Sequence, residues 1–205
     1  MLKPISNTLQ SVINFTWPMI VISIIVMVSF RICYLIKSKE KVVIYKELSM
    51  LIFGIYILCL FQVVTFQDDA SWATNNFIPF KEIMRYNITS RLFFKNVLGN
   101  MIMFLPFGFF ASFYLKSEKL TSPLFLTLIA SISIELVQLL IGRVFDVDDI
   151  LLNILGGLLG YGLYFIIFRV IGERLPSFTK KEWFLNILSI IIFIGLITGL
   201  VFILI

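Results

Sequence analysis

Histidine is missing from the chain altogether. Its absence removes Ser-His-Asp and Cys-His nucleophilic schemes, histidine-ligated zinc and histidine proton relays. Any chemistry falls to carboxylates, amides, hydroxyls, lysine or arginine. Charge is scarce too: only 14% of the 205 residues are Asp, Glu, Lys or Arg, while 60% are hydrophobic. With a mean hydropathy of +1.01, such a composition does not suit a soluble globule, and no nucleic-acid partner is expected. Cysteine is limited to Cys33 and Cys59, near one end of the first apolar run and in the middle of the second. At different depths they are not expected to form a disulfide, and they offer no metal pair. No small-residue cleavage site follows the first apolar run, so that run is expected to stay as a membrane helix.

What the chain has is long apolar sequence. Segments at 15–36, 48–66, 96–115, 121–141, 150–171 and 184–205 each approach or exceed the ~20 residues that carry a helix across ~30 Å of hydrocarbon. The expected fold is therefore all-α, a polytopic transmembrane bundle of about six spans, lodged in the lipid bilayer of a cell membrane. Residues 1–70 would supply two transmembrane helices. Residues 71–171 would supply an outer loop and spans three to five, and 172–205 a cytoplasmic loop and the last helix.

Lysine and arginine in the short loops set the orientation. Lys37, Lys39, Lys41, Lys46, Lys116, Lys119, Arg174, Lys180 and Lys181 form the richer set, with Arg31 and Arg169 at adjoining span ends. Lys3, Lys81, Arg85, Arg91, Lys95 and Arg143 form the poorer one. The richer set is expected in the cytoplasm. The turn GRVFDVDD and the loop 67–95 then lie outside.

Polar residues gather toward that outer end. In SPLFLTLIASISIELVQLLIG, Ser131, Glu135 and Gln138 recur at helical spacing on one face, with Glu135 deep enough for desolvation to matter. In KNVLGNMIMFLPFGFF, Asn96 and Asn100 stand one turn apart, and Pro106 with Gly108 marks a kink or a close approach. In DVDDILLNILGGLLGYG, Asp146 or Asp148 can cap the helix, while Asp146, Asp149 and Asn153 fall at i, i+3 and i+7, on one face. Gly156 with Gly160, and Gly195 with Gly199, carry the GxxxG spacing of packed membrane helices. Arg143 has three acids within six residues. A ligand pocket built from Asn96, Asn100, Glu135, Gln138, Arg143, Asp146, Asp149 and Asn153 is the economical account of so many polar groups at one level. Each residue taken alone also fits a capping, packing or hydrogen-bonding role.

The segment NNFIPFKEIMRYNITSRLFFKN adds an amphipathic pattern. Phe80, Ile83, Met84 and Ile88 would share one face of an interfacial helix entered at Pro79. Arg85, Arg91 and Lys95 would then stand over the pocket, suited to an anionic headgroup or phosphate. Asn87-Ile88-Thr89 matches a glycosylation acceptor.

NNFIPFKEI, NVLGNMIMFLPFGFF and SIELVQLLIGRVFDVDDILLNILGGLLGY, in that order, resemble the VanZ family of bacterial membrane proteins over roughly 75–165. E-x-x-Q ahead of R-x-x-D-x-x-D-x-x-x-N-x-x-G is the specific part of the likeness. The family takes its name from a member that raises resistance to the glycopeptide teicoplanin. The resemblance implies a bacterial cell-envelope role near cell-wall precursors or the antibiotic that binds them, and no enzymatic activity is carried over from it. The leading expectation is a binding or envelope-modulating protein that takes an anionic lipid-linked ligand, a cell-wall precursor or a glycopeptide. The alternative is an enzyme acting on a lipid or cell-wall intermediate, with Asp146, Asp148, Asp149 and Glu135 as acid, base or ligands of a divalent cation. A transporter ranks last, because no inverted repeat is detectable and Glu135 is the single deep acid. No cofactor is expected beyond that cation, and the sequence does not specify an oligomeric state.

Overall fold

The computed structural model describes residues 3–65, 74–87 and 89–204, with side chains described over 17–62, 74–87 and 89–199. The helices are α1 (Lys3–Ser38), α2 (Ile44–Thr65), α3 (Lys81–Arg85), α4 (Gly99–Leu115), α5 (Thr121–Leu140), α6 (Val147–Phe165), α7 (Gly172–Arg174) and α8 (Glu182–Leu204). A π-helical turn at Phe93–Leu98 leads into α4, and another at Ile166–Ile171 continues α6 into α7. Among the described residues the only β-type pairing is one parallel bridge, between Asn76 and Asp146. Six helices are long and apolar enough to cross a membrane. This is an all-α, multi-pass membrane protein, and each expected apolar segment coincides with one of the six.

The chain divides into two compact units. One comprises residues 1–66 and 175–205 and holds α1, α2 and α8. Arg31 donates to both carboxylate oxygens of Glu47 at 2.8 Å, and the Tyr45 amide donates to the Asn186 side chain at 3.0 Å. Among the described residues, none in the apolar windows of α1 (17–38) and α8 (182–199) is fully buried. Lipid is as good a solvent for leucine as another leucine, so apolar surface alone does not drive such helices together. Gly195 and Gly199 correct an expectation. A Cβ on either would meet nothing within 4 Å among the described residues, so their spacing marks no packed contact with any of those residues.

The second unit, residues 67–174, holds α3 to α7. Here α4 and α6 pack backbone to backbone. A Cβ on Gly108 would strike the Gly157 carbonyl, one on Gly156 the Met101 carbonyl, and one on Gly160 the Leu105 carbonyl. The GxxxG pair of α6 thus does what its spacing implied. Pro106 lies within a continuous α4, and close approach at Gly108 is what that stretch contributes. Against the other side of α6, Thr127 of α5 packs on Gly157.

Candidate functional site

One face of α5 buries Pro123, Thr127, Ser131, Glu135 and Gln138, at intervals of three and four residues. Polar residues make up most of that stripe because it faces neighbouring helices, where each polar group can find a partner. Glu135 Oε2 accepts from the Asp146 amide at 2.9 Å, and Ser131 Oγ accepts from Asn153 Nδ2 at 3.0 Å. Asn100 Nδ2 of α4 donates to Asp149 Oδ1 of α6. Glu135 and Asp149 are electrostatic neighbours, and Asp146 and Arg143 act on both. The Arg143 amide closes the α5 C-terminus by donating to the Gln138 carbonyl at 2.9 Å. Asn100, Glu135, Asp149 and Asn153 therefore come together from three successive spans, with Gln138, Arg143 and Asp146 at the same end.

Asp146 occupies a different place from the one its spacing suggested. It is the N-cap of α6, extended at φ −131° and ψ 114°, and its side chain accepts from the Asp148 amide at 2.8 Å. Outside the helix, it cannot share a helical face with Asp149 and Asn153. Its carboxylate also accepts from Asn76 Nδ2 at 2.8 Å, and burial holds its carboxyl above the ordinary carboxylate range. Asp148, the other candidate cap, is 1% exposed. It reaches out of α6 to the segment that precedes α4, accepting from the Glu82 amide at 2.7 Å, the Ile83 amide at 3.1 Å and the Phe80 amide.

That segment, 74–87, is a strap across the N-terminus of α6. The Asn76 amide donates to the Phe145 carbonyl at 2.8 Å, and the Val147 amide to the Asn76 carbonyl at 3.0 Å. Phe77 stacks on Phe145 with centroids 5.3 Å apart. Asn96 joins the strap rather than the acids, donating to the Tyr86 hydroxyl at 2.8 Å. The interfacial helix expected here is only five residues long. Phe80 and Met84 are exposed, Ile83 is half-buried, and Ile88 lies outside the described residues. Arg85 is exposed and pairs with Glu82 of its own helix at 3.2 Å, and Arg91 is exposed. Sequence reasoning missed Asn76 and Tyr86, and it read Asp148 only as a local cap or ligand. Among the described residues no group of three or more Asp, Glu or Cys side chains is arranged to hold a metal ion.

Glycine-tight helices, a polar cluster at one end of three successive spans and a strap over it define a helical, multi-pass membrane protein. The chain belongs to the VanZ/LLP1 family, whose model matches residues 53–169. The match begins within α2, ahead of the motifs that carry the resemblance. Neither curated proteins nor solved structures yielded a match.

Proposed function

We propose that this protein is a VanZ-like component of the bacterial cell membrane that contributes to glycopeptide (teicoplanin) resistance. It would do so by binding an anionic lipid-linked or cell-wall ligand, or the glycopeptide itself, at an outward-facing polar site. The observation that carries the reading is the joining of three spans by buried polar groups: Asn100 donates to Asp149, Asn153 donates to Ser131, and the Asp146 amide donates to Glu135. A charged side chain within a span costs about 2.5–3.5 kcal/mol on insertion-based scales. A bundle that needed only to pack would fill these positions with apolar residues. Lys116 and Lys119, between α4 and α5, and Arg169 and Arg174, beyond α6, lie at the opposite ends of these spans, which supports an outward-facing site. Exposed Lys81, Arg85, Arg91 and Lys95 suit a phosphate or carboxylate. The acids and amides beneath them suit hydroxyl and N–H donors.

The test is protection of a susceptible bacterium. The parent chain should raise the inhibitory concentration of teicoplanin, and Glu135→Gln and Asp149→Asn, inserted at parent levels, should not. Equal protection by both variants, or none by the parent, contradicts the proposal. The juxtaposed Glu135 and Asp149 also support the enzymatic alternative, acid–base chemistry on a lipid or cell-wall intermediate. Product formed from lipid precursors by the purified protein with magnesium or manganese would favour it.

A further inference from the structure

At the end of the second unit away from the polar cluster lies a groove of about 520 Å³, lined by Glu118, Phe165, Arg169, Val170, Glu173 and Arg174. The turn between α4 and α5 supplies Glu118, and α6 with its continuation into α7 supplies the rest. Two contacts hold these pieces together. The Tyr161 hydroxyl donates to the Glu118 carbonyl at 3.2 Å, and Arg169 donates to the Glu118 carboxylate at 2.8 Å. Arg169 lies in the π-helical turn Ile166–Ile171, a rare form that recurs at functional sites. Depth follows from length. The span Val147–Arg174 has 28 residues, whereas ~20 cross the hydrocarbon. Counted from Val147, the hydrocarbon ends near Ile166. Arg169, Glu173 and Arg174 then stand among the headgroups, with Phe165 at the edge of the acyl chains.

The walls carry both signs equally, two guanidiniums against two carboxylates. Arg169 pairs with Glu118, whose side chain is 76% exposed, so that pair contributes little and yields readily to a better partner. Glu173 and Arg174 make no ion pair among the described residues, although the charge of Glu173 acts on Arg169. Phe165 and Val170 add exposed apolar surface. A simple anion would meet two acids here, and a simple cation two guanidiniums. A ligand with both charges and an apolar body meets a partner for each. Lys116 and Lys119 flank Glu118 and are exposed, but they do not line the groove. Their field draws anionic lipid to this end in general without selecting a headgroup.

We propose that this groove binds the headgroup of one phospholipid that carries a primary ammonium beside its phosphate, as phosphatidylethanolamine does. Arg174 and Arg169 take the phosphate through guanidinium N–H groups. The ammonium donates to the Glu173 carboxylate, and the glycerol end rests on Phe165 and Val170. None of these side chains belongs to the outer polar cluster, so the test stands apart from antibiotic protection. Full-length protein is placed in phosphatidylcholine nanodiscs to which phosphatidylethanolamine or phosphatidylglycerol is added at equal mole fraction. Lipid retained per chain is read by native mass spectrometry, and Tm is followed in parallel. One phosphatidylethanolamine should be retained in preference to phosphatidylglycerol, with a saturable rise in Tm. Arg169→Gln and Arg174→Gln should lose that retention. Glu173→Gln should keep a bound phospholipid but lose the preference for the amine. Lys180→Gln, exposed and outside the groove, should behave as the parent. All four changes are at surface side chains, and unchanged Tm in pure phosphatidylcholine verifies that each variant folds. Equal retention of the two lipids by the parent, a parent-like preference in Glu173→Gln, or a loss in Lys180→Gln as large as in Arg174→Gln each overturns the proposal. Water-soluble glycerophosphoethanolamine, added to phosphatidylcholine nanodiscs, separates the two sources of this headgroup. It should give no comparable rise in Tm, and a rise as large as the lipid's would overturn the assignment to a lipid.

Discussion

The carboxylate of Asp148, in the first turn of α6, accepts the backbone N–H groups of Phe80, Glu82 and Ile83, residues 65 to 68 positions earlier in the chain. A helix as short as α3 has no stability of its own, and Phe80 holds a left-handed φ of 67° that a side chain disfavours. Asp148 supplies what both lack: a negative charge and two acceptor oxygens at the start of α3. The strap is therefore tied to the spans by a residue that is itself part of a span.

Removing that tie should loosen the strap first. Asp148→Ala is expected to cost on the order of 3 kcal/mol, because several charge-assisted hydrogen bonds are lost and their donors are left unmatched. Asp148→Asn, which keeps one acceptor, should cost less. Hydrogen exchange in detergent should show 74–87 losing protection in both variants, with α4 and α5 unchanged. Uniform loss across α4, α5 and α6 would contradict a local clamp.

Glycine positions separate into those with no room and those with nothing beside them. Gly108→Ala, Gly156→Ala and Gly160→Ala each place a methyl group on a facing backbone carbonyl, and each should lower stability by about 1–3 kcal/mol. Gly162→Ala and Gly195→Ala meet nothing within 4 Å among the described residues and should be neutral or stabilising, since alanine favours helix over glycine. Thermal melts of the five variants check the order.

Asn100 and Asp149 should behave as a coupled pair. Asn100→Ala leaves a span carboxylate without its donor, whereas Asp149→Asn removes the charge and keeps the shape. Asn100→Ala is therefore the more damaging, and adding it to Asp149→Asn should cost less than adding it to the parent. A coupling of about 0.5–3 kcal/mol is expected from a double-mutant cycle. Strict additivity would mean that the two do not interact.

Topology follows from the basic loops. With Cys33 and Cys59 replaced, Arg85→Cys should react with an impermeant thiol reagent on intact cells, and Lys119→Cys should react only after permeabilisation. Both positions are exposed. The reverse pattern would place the polar cluster in the cytoplasm and detach it from the cell wall.

Much of this was legible in the residues. Apolar runs of membrane length left helices as the only element, and Ser131, Glu135 and Gln138 could share a face only as a helix. Two features were hidden. The spacing of Asp146, Asp149 and Asn153 fits one helical face only if the helix has begun by Asp146, and a string of residues does not show on which side of that residue it starts. The helix begins one residue later, and Asp146 turns back as its cap. The tie from Asp148 to Phe80 joins positions that no local period relates. Gly195 and Gly199 show the converse limit. Their spacing matches that of Gly156 and Gly160, but spacing describes a surface that a helix could lie on, not whether one lies there.

Cross-linking tests the assembly of the polar cluster most directly. In a background without Cys33 and Cys59, N100C/D149C should form a disulfide on mild oxidation in native membranes. N100C/L139C, with Leu139 on the exposed face of α5, should not. Failure of N100C/D149C to close in protein that is inserted and folded, or equal closure of both pairs, would mean that α4 and α6 do not bring Asn100 to Asp149, and that the bundle has no such site.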